Sequence, residues 1–137
     1  MFLSNTAQYA VRILLYMAND PEKKYAAAEL IQKLKISDKY LRRIMTDMAK
    51  AGFIESISGR KGGYIFKRKI EEIKLSEIVF TFEDQQKFDQ CLLGLENCGD
   101  EHPCKLHSSW KCIKGDLVNL LNNTTLDSLD AIPSTKY

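Results

Sequence analysis

All four cysteines and both histidines of this 137-residue chain fall between Cys91 and Cys112. Thiolates and imidazoles are the ligands of zinc and of iron–sulfur clusters, and three thiolates with one imidazole complete a four-ligand site for either. The candidate ligands are Cys91, Cys98, Cys104 and His107. Structural zinc sites favour short C-x2–4-C knuckles. Here six residues separate Cys91 from Cys98 and five separate Cys98 from Cys104, gaps that suit a loop wrapped around a larger object. Cys104 and His107 stand three apart at the start of an expected helix, which puts both on one face. Gly94, Gly99 and Pro103 let the loop bend. Cys112 falls off the apolar stripe of that helix and reads as an unligated thiol. His102 precedes a proline in a charged loop and reads as solvated. The chain has no C-x-x-C pair, which argues against a thiol oxidoreductase. No Ser-His-Asp order, phosphate loop or paired-carboxylate arrangement points to an enzyme.

The segments around this patch carry strong periodicity. Thr6–Ala18 reads as a helix, with Ala7, Ala10, Val11, Leu14, Leu15 and Ala18 at helical spacing, a Ser4 or Asn5 cap, and Pro21 beyond its end. Tyr25–Leu34 is a second helix. Lys35-Ile36 is a tight turn, Ser37 an N-cap, and Asp38 to about Ala51 a third helix with a Leu41, Ile44, Met45 and Met48 stripe. The outer face of that helix shows Lys39, Arg42, Arg43, Thr46 and Lys50. Two helices joined by a tight turn, the second basic outside, form a helix-turn-helix pattern. Phe53–Ile57 alternates like a half-buried strand, Ser58–Gly63 is a glycine-rich turn with Arg60 and Lys61 at its tip, and Tyr64–Phe66 returns. This order predicts a winged helix, with Ser37, Lys39, Tyr40, Arg42 and Arg43 facing the major groove and Arg60 and Lys61 reaching phosphates or the minor groove.

Beyond it, Leu75–Phe82 predicts a fourth helix capped near Ser76. About Pro103 to Leu121 predicts a long helix whose Leu106, Trp110, Ile113, Leu117, Leu120 and Leu121 step like a coiled-coil seam. Such a stripe predicts two-fold pairing of the helix with a second copy, the alternative being a single amphipathic helix folded back on its own domain. Leu126–Leu129 adds a short turn, and Pro133–Tyr137 reads as a disordered tail. The fold class expected is mainly α with a small β-hairpin. Its divisions are a winged helix-turn-helix DNA-binding domain (1–82), a cysteine-rich loop (83–104), a dimerisation helix (105–130) and a flexible tail (131–137).

Composition agrees with that division. Residues 1–74 hold 15 Lys/Arg against 8 Asp/Glu, a net +7, and residues 75–137 hold 5 against 10, a net −5. A basic first half is the electrostatic footprint of a nucleic-acid binder. No apolar run approaches the ~18 residues of a membrane span, and the N-terminus lacks the apolar core of a signal peptide. The expected compartment is the cytoplasm, where clustered cysteines favour metal or redox chemistry over structural disulfides.

Several segments together resemble one family. They are Tyr9-Ala10-Val11-Arg12, Ile36-Ser37, Tyr40-Leu41, Gly62-Gly63-Tyr64, and the run Cys104-x-x-His107-x-x-Trp110 continuing to Leu121-Asn122-Asn123-x-Thr125-Leu126. The chain resembles the IscR/NsrR-type winged-helix regulators of bacteria, the Rrf2 family, over about residues 1–130. The resemblance implies a homodimer on a pseudo-palindromic double-stranded DNA operator. It also implies an iron–sulfur cluster held by Cys91, Cys98 and Cys104, with a fourth ligand that varies by subgroup. A histidine at the place of His107 implies a two-iron [2Fe–2S] cluster. The four-iron [4Fe–4S] alternative would use an acidic residue where this chain has Gln8. The chain departs from the iron–sulfur cluster regulators in a Cys91–Cys98 gap one residue longer, an additional Cys112, Ser58 in place of an arginine before the glycines, and a more basic recognition helix. The reading is a transcription regulator without catalytic activity whose operator binding is controlled by the cluster. The alternatives are a winged-helix regulator with structural zinc, or one without metal that senses a partner protein or thiol oxidation.

Overall fold

The computed structural model describes residues 3–129, so the expected tail at 131–137 lies outside the described residues. Helix α1 (Asn5–Met17) is capped by the Ser4 hydroxyl, which accepts from the Ala7 amide. Helix α2 (Ala27–Leu34) ends at Lys35, the one non-glycine residue with positive φ (52°) among those described. This left-handed residue makes the tight turn into Ser37, which caps α3 (Asp38–Lys50) by accepting from the Tyr40 amide. Strands β1 (Ile54–Ile57) and β2 (Gly63–Phe66) form an antiparallel hairpin with Ile54 opposite Phe66 and Ile57 opposite Gly63.

The first three helices bury faces close to those their periodicity marks, with Ile13 and Met17 of α1 enclosed where Val11 and Ala18 were expected and are half-buried. Ile13, Leu14, Leu30, Leu41, Ile44, Met45 and Met48 are fully enclosed, with Phe53 and Ile54 of the hairpin closing one side. The two wing glycines are required for different contacts. A Cβ on Gly62 would lie 2.2 Å from the Ile57 carbonyl oxygen. A Cβ on Gly63 would lie 2.6 Å from the Tyr25 carbonyl oxygen. That second approach is the price of a further pairing, because Tyr25 and Tyr64 exchange backbone hydrogen bonds of 2.9 and 2.8 Å. The wing is thereby stitched to the segment before α2.

Helix α4 (Leu75–Phe82) packs across α1 and α3. Its cap is Lys74 with Glu77 rather than Ser76, which is buried at 5% exposure. A short helix, α5 (Gln86–Asp89), is new relative to the sequence reading. The long helix α6 spans His107–Asn123, four residues later at its start than expected. The chain before it is a turn in which the His107 amide donates to the Cys104 carbonyl (3.0 Å), so Pro103 and Cys104 precede the helix instead of opening it.

The apolar stripe of α6 divides into two faces. Leu121 is buried with Val79 and Phe88, and Leu117 packs against the same cluster. Leu106, Ile113 and Leu120 are 43, 56 and 61% exposed. At ~100° per residue, the exposed three lie on one edge of a ~100° arc and Trp110, Leu117 and Leu121 on the other. After α6 the chain returns to the first domain. Leu75 donates to the Thr124 carbonyl (2.8 Å), Leu126 donates to the Ile73 carbonyl (2.9 Å), and the Leu126 side chain enters the main core.

Candidate metal centre and nucleic-acid interface

The cysteine loop has little regular backbone and is held by specific contacts. Gly94 turns with φ +72° and donates to the Cys91 carbonyl (3.0 Å), and Cys98 donates to the Leu95 carbonyl (3.3 Å). The Trp110 indole reaches from α6 to the Gln90 carbonyl (3.0 Å), and Lys114 Nζ to the Asp89 carbonyl (3.3 Å). These tie the start of the loop to the helix that follows it. The result brings the Sγ atoms of Cys91, Cys98 and Cys104 within 4.8 Å of one another, with Cys91 and Cys104 3.9 Å apart.

His107 stands just outside that triad, its Nδ1 3.5 Å from Cys98 Sγ. Its Nε2 lies 3.0 Å from Asp100 Oδ1, and Asp100 is also clasped by Lys111 Nζ at 2.9 and 3.1 Å. Cys112 is exposed and apart from the triad, and His102 is exposed. The four expected ligands are therefore neighbours, three thiols in one cluster with the His107 imidazole at its edge beside Cys98.

The thiols are electrostatically unequal. Backbone amides of Leu95 and Leu93 directed at the sulfur lower Cys91 to about 7. At Cys98 the Cys104 amide pulls downward, but desolvation and the neighbouring thiols outweigh it and the net shift is upward. One thiolate is thus readily available while a second is resisted until a cation shares the charge. Asp100 is lowered to about 2 by His107 and then Lys111.

On α3, Ser37, Lys39, Arg42 and Arg43 are exposed on one side, and Arg60 and Lys61 are exposed at the wing tip. Arg42 pairs with Asp38 at 2.7 Å, while Lys39, Arg43, Arg60 and Lys61 form no ion pair among the described residues. Tyr40 differs from its neighbours. It is half-buried, its hydroxyl is 2.6 Å from that of Thr6, and its ring meets Tyr9 edge-on. It braces α3 against α1. Between α3 and the hairpin lies a groove of about 340 Å³, lined by Arg42, Ser56, Ser58, Gly59 and Tyr64.

The family model described as "Rrf2: Iron-dependent Transcriptional regulator" matches residues 3–131. The chain belongs to the Rrf2 family. Among curated relatives of this Rrf2 protein, an HTH-type transcriptional regulator IscR of Pectobacterium atrosepticum is 28% identical, covering 94% of this chain and 79% of the relative. An HTH-type transcriptional regulator NsrR of Shouchella clausii is 33% identical over 66% of this chain and 62% of the relative. Among solved structures, CymR of B. subtilis, the global cysteine regulator, superposes with a TM-score of 0.76 over 92% of this chain and 93% of that one, at 24% identity. That likeness is one of fold. The protein is accordingly a winged-helix, DNA-binding transcription regulator and not an enzyme.

The Rrf2 chain also holds contacts around the site that its sequence did not announce. Asp100 and Lys111 were not among the residues expected at the site. The available signal was the i, i+4 spacing of His107 and Lys111, which places both on one face of α6. Glu83, at the root of the loop, is another. It is buried at 8% exposure and accepts from the Ser4 amide at the start of α1 (2.5 Å) and from Lys87 (3.4 Å). Burial pushes its pKa upward, the Ser4 and Lys87 hydrogen bonds pull it down, and the net shift is downward.

Proposed function

We propose that this Rrf2 regulator binds a pseudo-palindromic operator as a homodimer, under the control of an iron–sulfur cluster held by Cys91, Cys98, Cys104 and His107. The observation that carries the reading is the convergence of three thiols within 4.8 Å, with the His107 imidazole beside them. The donor set fits the group in number and in chemistry, since soft thiolates and imidazole select iron–sulfur clusters and zinc over hard cations. The presence of His107 as the donor beside the thiols favours a two-iron cluster, in which imidazole can take the place of thiolate. Gln8 supports the same choice, because its amide is spent on the Leu3 carbonyl (2.8 Å) and on Arg12 (3.4 Å). When bound, such a cluster supplies a redox-active centre open to oxidants, iron loss or nitric oxide. The cytoplasm, where thiols stay reduced, is the compartment this chemistry suits. No helix among the described residues is long and apolar enough to cross a membrane.

On the DNA side, Arg42 and Arg43 are suited to guanine O6 and N7, and Ser37 and Lys39 to positioning on phosphate. Arg60 and Lys61 anchor the wing, and Tyr40 acts by bracing the recognition helix. The second copy docks on the exposed edge of α6. Leu106, Ile113 and Leu120 recur every seven residues, the period of a helix pair. The division of labour proposed is residues 1–82 for DNA, 83–104 for the sensor and 105–130 for pairing.

Coupling follows the route of α6. His107, at its start, is a ligand. Its seventeen residues extend about 25 Å. Leu121 and Leu126, at its end, are embedded beside α4 and in the core that also holds Leu41 and Ile44. A change in how the thiols and His107 are held therefore acts on the base of a lever whose far end is seated in the DNA-reading domain. It shifts operator affinity only to the extent that the two states bind the cluster differently.

One observation favours a second reading. Thiols 3.9 to 4.8 Å apart are near the ~3.8 Å edge of a tetrahedron with Zn–S of ~2.3 Å, so a single structural zinc also fits them. Anaerobic purification with iron and sulfide analysis separates the two. Matched iron and sulfide with visible absorption support the cluster, and a colourless protein with one zinc per chain supports the alternative.

A further inference from the structure

Asp100 is an exposed loop carboxylate two residues past Cys98, yet two side chains of α6 converge on it. His107 Nε2 is 3.0 Å away, and Lys111 Nζ lies within 3.1 Å of both carboxylate oxygens. An ionised carboxylate only accepts hydrogen bonds, so the imidazole nitrogen facing it must be the N–H donor. A neutral imidazole has one donor and one acceptor nitrogen. With the proton fixed on Nε2, the lone pair is on Nδ1, the atom 3.5 Å from Cys98 Sγ. We infer that Asp100 is a positioning residue for the metal centre: it fixes the ring and tautomer of His107 so that Nδ1 faces the three thiols, and Lys111 holds it in place from the turn of α6 above. This rests on the reading of His107 as a ligand in the proposed function. Carboxylates that hold the far nitrogen of a ligating histidine raise its basicity and fix its orientation.

A role through His107 makes a specific demand. Removing Asp100 must weaken metal binding when His107 is present and do nothing further when it is absent. The test is a Co(II) titration of the full-length, reduced protein under anaerobic conditions. It follows the thiolate-to-cobalt charge-transfer band for the wild type, Asp100→Ala, His107→Ala and the double variant. Asp100→Ala is expected to lose about 10- to 100-fold in Co(II) affinity. In the His107→Ala background the same change should leave affinity unaltered. Asp100→Asn, which retains an acceptor oxygen, should recover most of the loss, and Lys111→Ala should cost less than Asp100→Ala. Equal losses in both backgrounds would show that Asp100 only shapes the loop and would overturn the inference, as would an unchanged affinity in Asp100→Ala. Failure of the cluster reading gives a different result. The anaerobic preparation would lack iron and sulfide while the cobalt cycle kept its non-additivity.

Discussion

The DNA-reading half and the cysteine loop are built on opposite principles. Residues 5–66 place Ile13, Leu14, Leu30, Leu41, Ile44, Met45 and Met48 wholly out of water, and their geometry follows from helical periodicity and tight turns such as the left-handed one at Lys35. The loop after α5 leaves Leu92, Leu93 and Leu95 more than half exposed, and its path depends on a few polar contacts, notably those of Trp110, Lys114 and Asp100. A segment with so little apolar burial has low local stability and responds to what its side chains bind. The reader is rigid because its core makes it so. The cysteine loop has no such core, which suits the sensing role proposed for it.

The comparison can be broken most severely in the core. Leu41→Ala, on the buried face of α3, is expected to cost about 2–5 kcal/mol in urea unfolding, with or without metal. Leu92→Ala in the loop should stay within about 0.5 kcal/mol in the metal-free protein. Comparable costs at the two positions would erase the distinction drawn here.

The next largest effects fall on the two surfaces the rigid half presents. Arg43→Ala should weaken operator binding by about 1–3 kcal/mol and relax base preference, whereas Lys61→Ala should reduce affinity across all sequences and lower the salt slope by about one, in fluorescence anisotropy titrations. Ile113→Asp places a charge in the exposed seven-residue stripe of α6. Sedimentation should show the dimer's dissociation constant raised by about tenfold or more, equivalent to ~1.4 kcal/mol. An unchanged dimer would move the pairing face elsewhere.

Which of these features were legible in the sequence follows the same divide. Helices α1 to α3 and the wing were readable because their apolar residues recur at 3–4 or 2 and because Ser37 caps α3 as its type suggests. The stripe on α6 was visible, but its division was not. Six apolar residues within ~100° read as one seam, and only packing against Val79 and Phe88 assigns Leu121 inward and leaves Ile113 out. Tyr40 was grouped with the DNA-facing residues by position, whereas its bond to Thr6 depends on how α1 crosses α3. The cysteines announced the site by type. Asp100 did not, since nothing in an exposed Gly-Asp-Glu sequence indicates that an imidazole will turn toward it.

Smaller effects sharpen the boundary between the regions. Ser37→Ala should cost about 1 kcal/mol of stability through loss of the cap at the recognition helix. Glu83, buried at the root of the loop, has a folded pKa below its ordinary value. Its contribution is therefore present above the unfolded carboxylate pKa and is lost as pH falls through the lowered folded value. Thermal melts should show the wild type losing stability below about pH 4.5 more steeply than Glu83→Gln, which cannot titrate there. Parallel pH curves would remove Glu83 as the acid-sensitive tie between loop and α1.

The central claim, that the thiol site governs the DNA reader, is tested most directly by titrating operator DNA with one anaerobic preparation before and after its iron is removed by chelation. The account predicts that the affinity changes, and that Cys98→Ala, purified the same way, matches the iron-free value. Equal affinity in the loaded and iron-free protein would contradict it.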